Sequence, residues 1–306
     1  MSHDLITILG PTASGKTKLA CHLAAAIHGE IISADSRQFY KGMDIGTGKD
    51  LEEYNVDGIE IKHHLIDIRP AGYQYNIEEF QRDFTTTFEM IKDAGNMPIL
   101  CGGSGLYIET ALNGGSFLGI PKVLERGAKL NEYSDEQLEL RYQACQEIVR
   151  KKLNAVTRQR KIRAIEIDDF LNLHPDWQAQ SPPHVNSILF GLDIDRELRR
   201  KKISDRLSYR MNNGLIEEVQ SLIEGGLSHQ DLEYYGLEYK WVSRYLRGEI
   251  AKRELFGGLS IAIHQFAKKQ MTWFRRMEKR GYEINWLSAT HSVEQNLLII
   301  QEKLKE

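Results

Sequence analysis

The sequence feature that most constrains this chain is the octapeptide Gly10-Pro11-Thr12-Ala13-Ser14-Gly15-Lys16-Thr17. It fits the pattern GxxxxGK[ST] in full, an apolar run (Leu5–Leu9) precedes it, and a helical pattern begins at Lys16. The glycines let backbone N–H groups turn toward an anion, and the helix N-terminus adds the positive end of its dipole. Lys16 would bridge phosphate oxygens, and the Thr17 hydroxyl would ligate Mg²⁺. The loop therefore predicts a polyphosphate site, for a nucleotide such as ATP or for a pyrophosphate ester. The alternative is a glycine turn that only joins strand to helix.

Strand and helix patterns alternate through the first third of the chain. Apolar runs follow the loop at residues 30–33, 64–68 and 97–101, and helical patterns separate them at residues 18–27 and 77–94. This alternation predicts an α/β fold of the P-loop NTPase type, with a parallel sheet covered by helices on both faces. In such sheets the functional loops lie at the carboxyl ends of the strands. We assign the first part of this core to residues 1–113.

The chain changes character at Gly114. A loop rich in Gly, Ser and Pro leads into polar helical stretches at residues 134–152 and 157–170, and a Pro/Ser/His segment follows at 180–184. We predict a helical insertion domain over residues 114–184. Residues 185–306 would return to the core with a strand at 187–192 and continue as a mainly helical C-terminal part with an edge strand at 282–287.

Composition restricts the class of protein to which this chain can belong and the compartment in which it works. Hydrophobic residues make up 41% and charged residues 27% of the chain, as in ordinary soluble globular proteins. The three cysteines are scattered and odd in number, which predicts reduced thiols and no zinc site. No apolar run approaches the roughly 20 residues that span a bilayer, and the apolar N-terminal stretch runs directly into the phosphate loop. We expect a cytoplasmic monomer that does not bind membranes.

Polar residues follow two of the other predicted strands. Asp35 comes just after the second strand, where its carboxylate would act as a general base or contact the metal, although it can also simply cap a turn. Ser104 follows the strand at 97–101 within Gly-Gly-Ser-Gly and would present a hydroxyl and free N–H groups. Such donors suit a departing phosphate better than a metal, which makes an ordinary ATPase or kinase less probable.

Basic residues are clustered although the formal net charge is −3. The stretch 150–163 contains no acid, and further basic clusters occur at residues 196–202 and 268–280. Phosphate binding needs a local positive field rather than a positive average, so these clusters favour RNA, while a solvated helix face is the alternative. Four aromatic residues can stack on bases, although most aromatics at helical spacing belong to the core: Tyr234, Tyr235, Trp241 and Trp273. We interpret His63 and His64 as mainly structural.

With these motifs the sequence resembles a known family, the tRNA dimethylallyltransferases, also called tRNA isopentenyltransferases. The matching segments span nearly the whole chain and are far more specific together than the phosphate loop alone. They are GPTASGKT at 10–17, SADSRQFYKGMDIGTGK at 33–49, HHLIDI at 63–68, GGSGLY at 102–107, RQRKIRAIE at 158–166, RLSYRMNNGLIEEV at 206–219 and AKKQMTWFRR at 267–276.

The resemblance implies the reaction and its main residues. Dimethylallyl pyrophosphate would be the donor, and the acceptor would be N6 of the adenine 3′-adjacent to the anticodon (position 37) in the anticodon stem-loop of tRNA. The phosphate loop at residues 10–17 would then hold the pyrophosphate that leaves. Asp35, Ser104 and Arg206 would be catalytic, and Mg²⁺ would be the cofactor with Thr17 as its protein ligand.

The resemblance also implies a set of tRNA-contacting residues. They are Asp35, Ser36, Arg37, Gln38, Ser104, Arg126, Gln159, Arg160, Lys161, Ile162, Arg163 and Gly236. Two positions depart from the usual pattern of the family, because Ser104 stands where Thr is usual and His264 stands where Arg is often found. The segment between Leu112 and Arg158, which forms much of the anticodon-gripping insertion, is shorter and more divergent than in most members.

This chemistry accounts for the residues. An exocyclic adenine amine is a poor nucleophile, so Asp35 would remove its proton as the new C–N bond forms. Lys16, Thr17 with Mg²⁺, Ser104 and Arg206 would stabilise the negative charge that develops on pyrophosphate. The adenine would have to be flipped out of the RNA, at a cost of a few kcal/mol. Three other hypotheses stay open at this point: prenylation of free AMP or ATP, a small-molecule kinase, and a noncatalytic RNA-binding protein.

Overall fold

The computed structural model describes residues 3–114, 117, 119–153, 155–178 and 185–305. The chain divides into two compact units. The core unit consists of Met1–Asn113 and His184–Glu306, and the insertion unit consists of Gly114–Pro183.

The described residues form ten strands and thirteen α-helices. The strands are β1 (Leu5–Leu9), β2 (Gly29–Ser33), β3 (Tyr40–Lys41), β4 (Asn55–Val56), β5 (Ile59–Glu60), β6 (His63–His64), β7 (Arg69–Pro70), β8 (Met97–Gly102), β9 (Ser187–Asp193) and β10 (Ile284–Ser288). The helices of the core unit are α1 (Lys16–Ile27), α2 (Ile77–Asp93), α3 (Gly105–Asn113), α8 (Arg196–Asn212), α9 (Leu215–Glu224), α10 (His229–Tyr234), α11 (Leu237–Leu246), α12 (Lys252–Lys279) and α13 (Val293–Lys303). Those of the insertion unit are α4 (Leu124–Asn131), α5 (Asp135–Ala144), α6 (Glu147–Leu153) and α7 (Arg158–Leu173).

Six strands form one parallel sheet with the order β10-β9-β1-β8-β2-β6. One apolar cluster packs α1 and α13 against one face of the sheet, and a second packs α2, α3, α8 and α12 against the other. Burial on both faces explains why these strands are continuous apolar runs rather than alternating ones. The predicted α/β fold with helices on both faces is confirmed. Because β1, β8 and β2 are neighbours, the loops after Leu9, Gly102 and Ser33 meet at one edge of the sheet.

The strand predicted at residues 64–68 is wrong, because β6 ends at His64. Leu65 and Asp67 both have left-handed backbones, with φ of 60° and 56°, and cannot extend a sheet. The bend brings the Asp67 carboxylate to Lys49, whose side chain is 1% exposed and also binds Asp44 at 2.6 Å. An unpaired buried lysine would cost several kcal/mol, so the ion pairs stabilise this irregular backbone.

In the insertion unit, the polar stretch predicted as helical over residues 134–152 is two helices. Cys145 has an extended backbone between α5 and α6, and the N–H group of Gln146 at the start of α6 donates to Asp168 of α7 at 2.7 Å. Burial of Leu138, Val149 and Ile165 gives the unit its own small core.

In the described part of the chain, no helix is both long enough and apolar enough to cross a membrane. Cys21, Cys101 and Cys145 are all free and buried, in agreement with the prediction of unpaired thiols.

Candidate active site

The phosphate loop connects β1 to α1 as the motif requires. Gly15 has a φ of 86°, a conformation that side-chain-bearing residues rarely adopt, and it precedes the first residue of α1, Lys16. The N-cap residue gives this helix no side-chain cap, and its first N–H groups have no hydrogen-bond partner in the part of the chain that the structure describes. The buried Ser14 hydroxyl also has no hydrogen-bond partner among the described residues. The loop thus offers several unsatisfied donors, as an anion site would.

A cavity of about 260 Å³ lies against this loop in the core unit. It brings together eight of the predicted site residues. They are Thr12, Lys16, Thr17, Asp35, Arg37, Gln38, Arg206 and Gly236. Ser104 is not among its lining residues. The other residues around the cavity are Gly46, Thr47, Gly48, Asp50, Arg210, Glu233, Leu237, Glu238, Lys240, Ile263, Phe266 and Gln270.

Arg206 supplies a fixed positive charge beside the loop. Its guanidinium donates a hydrogen bond to the Thr12 hydroxyl from α8. Burial, together with the nearby Arg210, lowers the pKa of Arg206 to about 10, so the group stays charged at neutral pH. Arg210 is held in turn by Asp50, with Nη2 and Oδ1 3.0 Å apart. Lys16 and Arg206 thereby place two cations at the end of the cavity that the phosphate loop forms.

Asp35 lies in a tight turn after β2. One carboxylate oxygen accepts a hydrogen bond from the Arg37 N–H group at 3.0 Å, and the other has no hydrogen-bond partner among the described residues. The free oxygen belongs to a side chain that lines the cavity, where it can accept a proton or a metal contact. The tight turn fits the alternative that Asp35 caps its own turn, but that role uses only one of its two oxygens.

Ser104 connects two of the loops rather than lining the cavity. Its hydroxyl oxygen accepts from the Ser36 N–H group at 3.3 Å and lies 3.4 Å from the Ser36 hydroxyl. Ser104 therefore holds the turn that carries Asp35 against the loop after β8. Its predicted contact with the leaving group stays a prediction.

Gln270 of α12 is a site residue that the motif analysis did not single out. Its Oε1 accepts from the Thr12 N–H group at 2.9 Å, and its Nε2 donates to the Gly103 carbonyl at 2.8 Å. A Cβ on residue 103 would collide with Nε2, so only glycine allows this approach. One amide thus ties the phosphate loop to the loop after β8. The only signal in the sequence was its place inside the matching segment at 267–276.

Replacing Gln270 with leucine is expected to raise the KM for the pyrophosphate donor about tenfold. The buried Gly103 carbonyl and the partly buried Thr12 N–H group would lose their partner, and each such loss typically costs about 1–3 kcal/mol when the group is buried. Steady-state kinetics with each substrate varied in turn would measure the effect, and the KM for the acceptor should change little. Gln220→Leu on the exposed face of α9 is the matched control. An unchanged donor KM in the Gln270 variant would show that this bridge does not position the loop.

The glycine-rich segment at residues 44–49 looks like a second phosphate loop but is already occupied by a side chain of the protein. The Glu218 carboxylate accepts from the N–H groups of Asp44, Ile45 and Gly46 at 2.7–3.0 Å, and from the Tyr239 hydroxyl at 2.8 Å. These donors are therefore not available to a phosphate group. Their role is to hold this segment in place as one wall of the cavity.

The residues at the cavity suit Mg²⁺ but would not hold it alone. The Thr17 hydroxyl and the carboxylates of Asp35 and Asp50 are oxygen donors of the kind that Mg²⁺ prefers. Within the described residues, no three His, Cys, Asp or Glu side chains are grouped as a metal site. Mg²⁺ commonly binds through one or two protein oxygens together with phosphates of the substrate, and this donor set fits that mode.

Of the predicted tRNA-contacting residues in the core unit, Arg37, Gln38 and Gly236 line the same cavity as Asp35. The Arg37 guanidinium donates to the Tyr234 carbonyl, and its Cζ lies 5.9 Å from the centre of the Tyr234 ring. Gln38 is buried, and its Nε2 donates to the Gly48 carbonyl at 3.1 Å. Arg37 can therefore meet an acceptor, whereas the contacts of Gln38 are structural.

Of the remaining aromatic candidates, Tyr235 is buried, and the ring of Trp241 packs against Gly258. Trp273 packs against Gly105 and donates to Glu109 at 2.8 Å. These residues have the core role that the sequence analysis weighed as the alternative to base stacking.

Most of the predicted tRNA-contacting residues of the insertion unit are engaged within that unit. Arg126 pairs with Asp169, Lys161 pairs with Glu139, and Arg163 donates to the carbonyls of Ile120 and Pro121. Ile162 is buried, and Arg158 bonds Asp135 and two backbone carbonyls. Gln159 and Arg160 are exposed, and the Arg160 guanidinium has no hydrogen bond or ion pair among the described residues. Arg160 is therefore the arginine of this helix that is most available to RNA.

Replacing Arg160 with alanine is expected to weaken tRNA binding and to lower the salt dependence of its binding constant by about one unit of slope. The reason is that one phosphate contact releases about one counterion. Binding titrations at several salt concentrations would measure the slope. Lys129→Ala, an exposed basic residue of the same unit, should leave it unchanged. An unchanged slope for Arg160→Ala would mean that this helix face is only solvated.

The other two basic clusters come together in the core unit. Arg196, Arg199 and Arg200 of α8 line a cavity of about 490 Å³ together with residues of α12, including His264, Lys268 and Arg275. The buried Nδ1 of His264 has no partner among the described residues, and burial with Arg200 and Arg199 lowers the pKa of this imidazole. His264 is therefore neutral at neutral pH, and the arginines and lysine supply the positive field. That this field binds RNA phosphates stays a prediction.

Comparisons with known proteins agree on one family. The family described as IPP transferase matches residues 38–277. The tRNA dimethylallyltransferase 2 of Bacteroides fragilis is 49% identical over 304 residues, which cover 99% of this chain and 99% of that protein. The tRNA dimethylallyltransferase 1 of Parabacteroides distasonis is 50% identical over 297 residues and covers 97% and 96%. The crystal structure of the tRNA isopentenylpyrophosphate transferase of Bacillus halodurans is similar with a TM-score of 0.72 at 28% identity, over 98% of this chain and 95% of that one.

Proposed function

The chain belongs to the IPP transferase family and transfers a dimethylallyl group to tRNA, and we propose how its own residues divide this reaction. The phosphate loop holds the pyrophosphate of dimethylallyl pyrophosphate, and Asp35 receives the proton of the acceptor amine. The observation that carries this proposal is that one cavity unites Lys16 and Arg206 with Asp35. The two cations suit a pyrophosphate leaving group, and the carboxylate suits a base.

The transfer is a single exchange of bonds. The lone pair of N6 of the adenine 3′-adjacent to the anticodon forms a bond to C1 of the dimethylallyl group. The bond between C1 and the pyrophosphate oxygen breaks, and its electron pair leaves with pyrophosphate. The proton on N6 passes to the free oxygen of Asp35, whose other oxygen stays bonded to the Arg37 N–H group. This arrangement lets Asp35 act as a base without losing the turn that positions it.

Charge on the leaving group is balanced by groups that are already in place. Lys16, Arg206 and the uncapped N–H groups of α1 face the end of the cavity where pyrophosphate would depart. Preorganised donors of this kind stabilise the charge that develops in the transition state. The Thr17 hydroxyl, with Asp50, would hold Mg²⁺, which would supply further charge neutralisation when bound.

We propose that the acceptor substrate is an RNA rather than a free nucleotide. The flipped adenine would enter beside Asp35 and Arg37, while Arg160 and the basic cavity between α8 and α12 offer positive charge for RNA phosphates. Three free thiols suit a reducing compartment, which supports a cytoplasmic protein.

Mapping the product on the RNA tests this proposal. We would incubate the protein with labelled dimethylallyl pyrophosphate, Mg²⁺ and a tRNA transcript, and locate the label by nuclease digestion and mass spectrometry. The label is expected on the adenine 3′-adjacent to the anticodon and should disappear when guanine replaces that base. Label on other adenines of the same transcript would contradict the proposed acceptor.

A further inference from the structure

The cavity at the phosphate loop has one apolar patch. Leu237, Ile263 and Phe266 are the apolar side chains that line it, and the remaining lining residues are polar, charged or glycine. A prenyl pyrophosphate has the same division, because a pyrophosphate head joins an apolar chain. Once the pyrophosphate head is placed at Lys16, as the proposed function requires, the apolar chain of the donor is the group that suits this patch.

Helix geometry fixes how far this patch lies from the phosphate loop. Ile263, Phe266 and Gln270 follow the spacing i, i+3 and i+7, so they share one face of α12. Gln270 contacts the Thr12 N–H group of the loop at 2.9 Å. At about 1.5 Å per residue, Phe266 lies about 6 Å along the axis from Gln270, and Ile263 lies about 10.5 Å away.

Leu237 joins the same patch from α11. The ring of Trp241 sits where a Cβ on Gly258 would lie, which sets the register between α11 and α12. A short loop at residues 247–251 joins the two helices, so they run antiparallel. Leu237 is one turn before Trp241 and therefore faces the turn of α12 that carries Ile263.

Within the apolar patch, Phe266 is far more exposed to solvent than Ile263. Its side chain is 43% exposed, although it lines a cavity, whereas Ile263 is 6% exposed. Water therefore reaches a large aromatic surface directly beside a polyphosphate site. A bound apolar group would cover this ring and gain the free energy of burying it.

We infer that Leu237, Ile263 and Phe266 receive the prenyl chain of the donor and that Phe266 limits this chain to one isoprene unit. A dimethylallyl group extends less than about one helical turn beyond its pyrophosphate, which reaches the ring of Phe266 but does not pass it. A second isoprene unit would have to occupy the space of the ring. The volume of about 260 Å³ lies below the roughly 300–1,000 Å³ of most ligand pockets, which also favours a short chain.

The test compares donors of different length. We would measure kcat/KM for dimethylallyl and geranyl pyrophosphate with tRNA in the wild type, in Phe266→Ala and in Phe256→Ala. Phe256 is a matched control, since it is a 37% exposed phenylalanine of α12 outside this cavity. The ratio of geranyl to dimethylallyl transfer should rise at least about tenfold in Phe266→Ala. Tenfold is the lower limit of the usual discrimination between substrates by a hydrophobic pocket. The ratio should stay unchanged in Phe256→Ala.

Phe266→Trp provides an independent test by filling the cavity. It should lower kcat/KM for dimethylallyl pyrophosphate about tenfold and leave the KM for tRNA unchanged. An unchanged donor ratio in Phe266→Ala would overturn the inference. A rise only in the KM for tRNA would also overturn it and would assign the ring to the flipped base. A wild-type protein that transfers no dimethylallyl group would instead contradict the proposed function itself.

Discussion

Replacing Lys16 with alanine is expected to lower kcat/KM for dimethylallyl pyrophosphate about 10²–10³-fold. Lys16 is the first residue of α1 and lines the cavity, so its ammonium group would lie against the departing pyrophosphate. Removing one donor that stabilises transition-state charge typically has an effect of about this size. Steady-state kinetics with a fixed tRNA concentration would measure it.

Two controls separate this effect from damage to the fold. Lys18→Ala removes an exposed lysine of the same helix that does not line the cavity, and it should retain full activity. The free energy of unfolding and the Kd for tRNA of the Lys16 variant should stay close to wild type, because Lys16 makes no ion pair with another described residue. Transfer at the normal rate by Lys16→Ala would show that the donor binds elsewhere.

Replacing Asp35 with asparagine is expected to lower single-turnover prenyl transfer about 10²–10⁴-fold, the usual contribution of general-base assistance. Asparagine has nearly the same shape and keeps an oxygen that accepts from the Arg37 N–H group, so the turn should persist. It cannot take up the N6 proton at neutral pH. The Kd for tRNA should change little, since one hydrogen bond is small beside many phosphate contacts.

A magnesium titration distinguishes the two roles open to Asp35. A base that is missing cannot be replaced by metal, so the rate of the asparagine variant should stay low at saturating Mg²⁺ with donor affinity intact. Full recovery of the rate at high Mg²⁺ would place Asp35 among the metal ligands and contradict its assignment as the base.

The phosphate loop and the order of elements could be predicted because their signals are local. The pattern at residues 10–17 is contiguous, and the apolar runs of the buried strands report their own burial. The position of Asp35 relative to the phosphate loop depends instead on the strand order, in which β8 lies between β1 and β2. Strand order is set by long-range packing, so the neighbourhood of these loops followed only from the fold rule and the family resemblance.

The predictions that failed or stay open involve partners distant in sequence. The run at residues 64–68 is apolar enough for a strand, but Asp67 has to reach the buried Lys49, and this contact bends the chain. Gln270 joins two loops more than 160 positions away, so no local pattern could mark it. Likewise, the arginines at 158–163 look alike in sequence, yet Arg158 and Arg163 bind within the insertion unit and Arg160 does not.

The choice of acceptor tests the account most directly. Labelled dimethylallyl pyrophosphate and Mg²⁺ would be incubated with the protein and with tRNA, AMP or ATP offered separately at equal concentrations. The basic residues outside the donor cavity predict that label enters tRNA alone, because they offer positive charge to an extended phosphate backbone, which a mononucleotide lacks. Equal or faster labelling of AMP or ATP would contradict the account and identify a prenyltransferase of free adenylates.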